Sequence, residues 1–365
     1  MSQVTIAGLT GLARQKIRRI TAIDPLPYLP RRPRPAGSPP AVGLVGYYGW
    51  GNYGDELFLE VFREHLSPPL KLLSVVSPEP RSIGRRLGSA VRDADALLIG
   101  GGDIVIPWSG NNDYWRQSYL RRPVYVAGVG VPTWGTSTPW VVERLRRFFQ
   151  HPSVHFIGTR DPESSQWIAE HLAPAVPVLT APDLVCGLTL PAVTRPTDPP
   201  IFGVAVRQRR RPDDLSRVRQ LCLRAIELGY RVRRIVLATG QVKERDLVAT
   251  EALDLPDTEL VATNDLATIT RSIGECTAMA SMKFHGVVVA TMFGIPAIVM
   301  MPTAKNLHFI RDIGRPELRS GFNDPELADH LTRDIEPIAA DVRERLRHDV
   351  TAHLADLLRR IETAS

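Results

Sequence analysis

The stretch Ser281–Met300, "SMKFHGVVVATMFGIPAIVM", decides the fold. The small residues from Cys276 to Ala280 read as a buried strand, and the apolar segment from about Phe284 to Phe293 reads as the helix after it. Gly294 and Pro296 stop that helix, because glycine accepts the turn at a helix end and proline cannot continue the hydrogen-bond ladder. A second strand over Ala297–Met301 completes a βαβ unit with parallel strands. Ser281, Lys283 and His285 fall where strand gives way to helix, at the edge where open α/β sheets hold ligands. Between Cys276 and Arg311 there is no Asp or Glu, while Lys283, His285, Lys305, His308 and Arg311 all occur there. That composition, beside the free N–H groups of a helix start, suits a small anion.

Outward from this unit the same β-then-α order repeats. Strands are expected over "AVGLVGYYG" from Ala41 to Gly49 and at Leu70–Val76, Ala96–Ile99, Val124–Val129, Val154–Ile157 and Val176–Thr180. Helical segments alternate with them, near Pro80–Arg92, Tyr114–Arg121, Pro139–Phe149 and Pro162–His171, besides the "DELFLEVFREHL" helix from Asp55. A second series has strands near Ile201–Val206, Val232–Leu237, Glu259–Ala262, Cys276–Ala280 and Ala297–Met301. Such repetition predicts an α/β protein of two Rossmann-like, doubly wound parallel-sheet domains facing a cleft. Seven prolines between Pro25 and Pro40 make residues 1–40 a basic, extended arm. The first domain is then 41–188, the Pro-rich linker 189–200, the second domain 201–335, and 336–365 a closing amphipathic helix expected to pack across the cleft.

At 365 residues the chain is long enough for both cores. Apolar content of 44% and charged content of 23% are those of an ordinary globular protein. The net charge of +6 is spread among arginines, dense only in "RRPRP" and "VRQRRR", without an aromatic-interleaved basic face, so no nucleic-acid partner is expected. Three widely spaced cysteines argue for a reducing compartment and against a zinc site or disulfide framework. No apolar run approaches the roughly 20 residues that span a bilayer, and the start lacks a signal-peptide core. A cytoplasmic location is expected. Residues 9–20 could touch the inner face of the membrane as a short basic amphipathic helix, or stay a solvated tail.

Five further motifs fall at strand ends. "GYYGWGNYGDE" puts Gly46, Gly49, Gly51 and Gly54 before a helix opening with Asp55 and Glu56. It is neither a Walker A loop nor a good dinucleotide fingerprint. Tyr48, Trp50 and Tyr53 offer flat faces for sugar rings and, with Asn52 and Asp55, are candidates for acceptor binding. The two acids could equally be helix-dipole partners. "LLIGGGDIV" projects Asp103 from a glycine hairpin, either to bind or deprotonate a hydroxyl or to close its own turn. "GTRDPES" puts Arg160 past the fifth strand, next to Asp161, which suits a helix N-cap. "LTAPDLV" supplies Asp183, a catalytic candidate or a turn residue. "GVAVRQRRR" places Arg207 just beyond a buried strand, with Arg209–Arg211 reading as solvated.

Together "GWGNYGDE", "GGGD", "RDPES", "APD", "SMKFHG" and "FGIPAI" resemble the polysaccharide pyruvyl transferase family over about residues 41–313. The resemblance implies a fold like that of GT-B glycosyltransferases. It also implies transfer of pyruvate from phosphoenolpyruvate to two hydroxyls of a sugar as a cyclic ketal. Donor binding by Arg160 and by the pair Lys283 and His285 follows from it, with the departure that the family usually has Arg where this chain has Lys283. The donor carries about three negative charges and calls for several cations, which Arg160, Lys283, His285, Arg207 and Lys305 could supply. His285 is the candidate acid for carbon 3, and Asp103 or Asp183 the candidate base for the sugar hydroxyl. The scheme needs no metal or cofactor. The acceptor is a sugar, lipid-linked or free, chosen by first-domain loops that include Pro107–Trp115. The competing readings are a GT-B glycosyltransferase using a nucleotide sugar and a non-catalytic sugar- or anion-binding scaffold.

Overall fold

The protein is described by a computed structural model covering residues 40–74, 94–110, 113–209, 212–332 and 335–363. The basic N-terminal arm, the helix expected near Pro80–Arg92, Arg210 and Arg211 lie outside the described residues.

The chain forms two compact units. The first holds the described residues among 40–47, 68–180 and 357–363, and the second those among 48–67 and 181–356. In the first unit six strands form one sheet: β1 (Val42–Gly46), β2 (Leu70–Ser74), β3 (Ala96–Gly102), β4 (Val124–Val129), β5 (Val154–Thr159) and β6 (Val178–Thr180). Their order is β2-β1-β3-β4-β5-β6, and every pairing is parallel. The central strands are buried but for Gly102 at the end of β3, as a sheet covered on both faces requires. Helices α2 (Pro139–Phe149) and α3 (Pro162–Leu172) cover it, with Val141, Leu145, Phe148, Ile168 and Leu172 in the core. The helix expected over Tyr114–Arg121 is only a 3₁₀ turn at Gln117–Arg121. Pro123 follows at once, and the indole N–H of Trp115 is drawn to the Ile104 carbonyl at 3.0 Å, so no longer helix forms.

The second sheet has five parallel strands, β7 (Ile201–Ala205), β8 (Arg231–Ile235), β9 (Glu259–Val261), β10 (Ala278–Ser281) and β11 (Ala297–Val299), in the order β11-β10-β7-β8-β9. The connecting helices are α4 (Ser216–Glu227), α5 (Gly240–Glu251), α6 (Leu266–Gly274), α7 (Phe284–Met292) and α8 (Ala304–Asp312). Phe202, Val204, Leu221, Val232, Ala280 and Ile298 lie in its core.

Helix α1 (Tyr53–His65) differs from the sequence reading, which assigns it to the first domain. It clusters with the second unit. Tyr53 Oη lies 2.7 Å from Thr270 Oγ1, the Thr189 N–H donates to Glu64 Oε2 at 2.9 Å, and His65 Nε2 lies 2.9 Å from the Gly187 carbonyl. The closing helix α9 (Ala340–Thr363) belongs to the second unit through Asp356 and to the first from Leu357. Among the described residues no helix is long and apolar enough to cross a membrane. Cys186, Cys222 and Cys276 are all buried free thiols.

Candidate functional site

In the second unit three motifs distant in sequence meet around the His285 imidazole. His285 stands in the first turn of α7, where β10 has just ended. Its Nε2 faces Asp183 Oδ2 at 3.5 Å, and that carboxylate is almost wholly buried. Nε2 has no hydrogen-bond partner among the described residues. Asp183 also holds its own 3₁₀ turn, Leu184–Gly187, by accepting from the Val185 N–H at 3.1 Å. The turn and the catalytic candidacy read from the sequence therefore reside in one side chain. On the other side the ring packs against the backbone of α1 at Gly54, where a Cβ would overlap the imidazole. Phe58 and Phe284 meet it edge-on, with ring centroids at 5.6 and 5.1 Å.

Asp55, the next residue of α1, is buried and accepts a hydrogen bond from the Asn52 side chain. Burial pushes its carboxyl up from 3.8 to about 6, against the pull of Asn52, His285 and Lys305. Lys305 stands in the first turn of α8, with its ammonium 5.5 Å from the Phe284 ring centre. Asp183, His285, Asp55 and Lys305 are thus a mixed acid–base cluster, and it arises within one unit.

Lys283 is placed differently from what its acid-free stretch suggests. Its ammonium forms an ion pair with Asp246 of α5 at 2.5 Å and donates to the Leu237 carbonyl at 2.8 Å. Burial holds its proton affinity below the ordinary lysine range despite Asp246. Asp246 also accepts from the Gln208 N–H at 2.9 Å, tying the loop after β7 to the start of α7. The positive charge of Lys283 is balanced inside the fold, so its structural task is to fix that junction. Arg207, at the end of β7, is exposed.

The glycine loop also departs from its sequence reading. Glu56 Oε1 reaches back to accept from the N–H groups of Gly49 and Gly51, at 2.8 and 3.0 Å. The rings of Tyr48 and Tyr53 are buried in the core, and Trp50 is half-buried. Tyr48 and Tyr53 therefore present no face on which a sugar could stack. Asn52 pairs with Ala238 in an isolated bridge and serves Asp55.

In the first unit Asp103 follows β3 and Arg160 follows β5. They form an ion pair, and the Arg160 side chain is almost fully buried. Gly130, after β4, lies between them: a Cβ there would come within 2.7 Å of Asp103 Oδ1 and 2.8 Å of an Arg160 guanidinium nitrogen. Arg160 thus has a structural partner that the sequence did not reveal. Asp161 caps α3 by accepting from the Ser164 N–H at 2.7 Å, as its position before Pro162 suggests. Among the described residues no group of three or more His, Cys, Asp or Glu is placed to hold a metal ion.

Two parallel-sheet units of this kind define a class shared with nucleotide-sugar enzymes. The S. aureus MnaA–UDP co-structure superposes with a TM-score of 0.56 at 8% identity, covering 90% of this chain and 98% of that one. A UDP-GlcNAc 2-epimerase from Neisseria meningitidis, bound to UDP-GlcNAc, gives 0.54 at 10% identity, covering 87% and 99%. The calicheamicin glycosyltransferase CalG4 gives 0.50 at 13% identity, covering 89% and 98%. At these identities the likeness is one of fold, that of the GT-B glycosyltransferases and epimerases. No curated protein matches the sequence. The family is settled by a sequence model, polysaccharide pyruvyl transferase, which matches residues 52–302. The chain belongs to that transferase family.

Sequence reasoning missed Asp246, the partner of Lys283, and the role of Gly54 as the seat of His285. A glycine followed by two acids at a helix start was the available signal, but nothing in it names which residue approaches.

Proposed function

We propose that this protein transfers pyruvate from phosphoenolpyruvate to a saccharide acceptor of an envelope polymer, forming a cyclic ketal and releasing phosphate. The observation that carries this reading is the meeting of Asp55, Asp183 and His285, from three matched motifs, around one imidazole, with Lys305 beside them.

In the proposed reaction the donor's phosphate and carboxylate engage Lys305 and the exposed Arg207, while the N-terminal N–H groups of α7 and α8 add positive potential. His285, oriented by Asp183, gives a proton to carbon 3 of the enol, turning the methylene into a methyl group. Carbon 2 becomes electrophilic, and a sugar hydroxyl adds to it. Asp55 is the proposed acceptor of that hydroxyl's proton, because its carboxyl, raised to about 6, is a stronger base than an ordinary aspartate. The bond from carbon 2 to the phosphate oxygen then breaks, inorganic phosphate leaves, and the second hydroxyl bonds to carbon 2 as its proton passes to the His285 imidazole, restoring the acid. Asp103, considered as a base from the sequence, is held in an ion pair with Arg160.

The test is phosphate release from phosphoenolpyruvate across a panel of simple glycosides, with NMR detection of a new ketal methyl. His285→Gln should abolish it. Saturable hydrolysis of UDP- or GDP-sugars with no response to phosphoenolpyruvate would instead favour a nucleotide-sugar transferase, the reading closest to the structural neighbours. Near-normal turnover in His285→Gln would remove the imidazole from the acid role.

A further inference from the structure

The first unit carries an exposed tryptophan cluster that the reaction above does not use. Trp108 lies in the loop after β3, Trp134 in the segment after β4, and Trp140 in the first turn of α2. Trp134 is 80% exposed and Trp140 54%, and they are the exposed tryptophans among the described residues. Large aromatic side chains this exposed are uncommon on a surface without a partner.

The cluster is built rather than incidental. Trp108 meets Trp134 at 4.7 Å between ring centres, tilted 64°. Its other neighbour is the Gly135 backbone, where a Cβ would come within 2.6 Å of the indole. The Arg144 guanidinium lies 5.4 Å from the Trp140 ring centre and donates to the carbonyls of Ser109 and Gly110, each at 3.2 Å. The Thr138 N–H donates to the Pro107 carbonyl at 2.9 Å, joining the two loops. The rings are therefore held in place before any ligand arrives, which lowers the entropy lost on binding.

Its position points to the occupant. Residues 103–108 and 130–140 both start at the Asp103–Arg160–Gly130 junction and both end at a tryptophan. The cluster thus sits at the carboxyl edge of a parallel sheet, where such folds take their ligands, with polar groups at its base. A pyranose offers a flat array of C–H bonds to an indole face and hydroxyls to a neighbouring carboxylate, and the family is defined by a polysaccharide substrate.

We infer that Trp134 and Trp140, braced by Trp108 and Arg144, form a saccharide-binding platform that holds a sugar unit of the polymer acceptor. The assignment of that sugar as acceptor rests on the pyruvyl-transfer reading, whereas the binding itself does not.

The two are separated by measuring saccharide binding without donor. The full chain is titrated with di- to tetrasaccharides of glucose, galactose, mannose and their N-acetylamino forms, followed by tryptophan fluorescence and saturation-transfer NMR. At least one should bind saturably, and Trp134→Ala should weaken it by about tenfold. Trp134→Tyr should recover part of the loss, and the thermal midpoint should stay unchanged because the side chain is exposed. Binding that persists without any phosphate released from phosphoenolpyruvate upholds the platform and removes the pyruvyl-transfer reading. Failure of the whole panel, or equal binding by the Trp134→Ala, Trp140→Ala double variant, overturns the platform. So does tryptophan-dependent flotation with phosphatidylglycerol vesicles in place of sugar binding, which would mark a lipid contact.

Discussion

The imidazole of His285 rests on the bare backbone of Gly54, so helices α1 and α7 meet where no side chain intervenes. The glycine that the sequence offers as a ligand-approach residue is approached by the protein's own histidine. Gly54→Ala should displace the ring and cut phosphate release from phosphoenolpyruvate by at least tenfold. Overpacking costs about 1–3 kcal/mol and alanine favours the helix by about 1 kcal/mol, so the net loss of stability should be at most about 2 kcal/mol. Steady-state kinetics beside a urea melt will separate the effects, and a fully active variant would show that the ring need not sit there.

Asp55 carries a pH signature. Its carboxyl is raised in the folded chain from 3.8 to about 6 by burial, so the native state binds this proton more tightly than the unfolded state does. The resulting stabilisation is complete below about pH 4 and is lost as pH rises through about 6. Asp55→Asn should flatten that part of the stability profile and raise stability at pH 8 by at most about 2–3 kcal/mol, while lowering turnover. Denaturant melts at pH 4.5, 6 and 8 provide the check.

Asp103 and Arg160 are coupled within the first unit. Asp103→Leu leaves a buried guanidinium without its closest carboxylate and should cost about 3–5 kcal/mol. The double variant Asp103→Leu, Arg160→Met should recover much of that loss. Additive losses in a double-mutant cycle would mean that the pair is not coupled.

Arg207 and Lys283 should separate cleanly. Arg207 is exposed, so Arg207→Ala should raise the KM for phosphoenolpyruvate on the order of tenfold or more with an unchanged melting midpoint. Lys283→Met strands the buried Asp246 carboxylate and should destabilise the fold by about 3 kcal/mol, a loss that Asp246→Leu in the same chain reduces. A KM effect from Lys283→Met with no loss of stability would return Lys283 to the donor site.

The strand-and-helix rhythm was legible because parallel strands buried on both faces are short apolar runs, several of them closed by Gly, Pro or Asp, as at Gly46, Gly130 and Asp161. The helix-capping role of Asp161 followed from its place before Pro162. What the letters concealed was every partner drawn from afar. The stretch around Lys283 contains no acid, yet Asp246 arrives from another helix. Arg160 looked unpaired until the chain brought Asp103 back beside it. Tyr48 and Tyr53 are aromatic on a glycine loop, but a residue's type does not say which way its ring turns, and both turn inward. Helix α1 was misassigned because proximity along the chain is a poor guide once a segment leaves its neighbours' sheet.

That departure limits how the protein can be divided. A fragment cut at the proline connection and running from residue 201 onward would lack both Asp183 and the helical surface under His285, although it would retain all five strands of its sheet. The residues that gather around His285 therefore come from both sides of that connection in sequence, and a cut there parts Asp183 and Gly54 from the imidazole they meet.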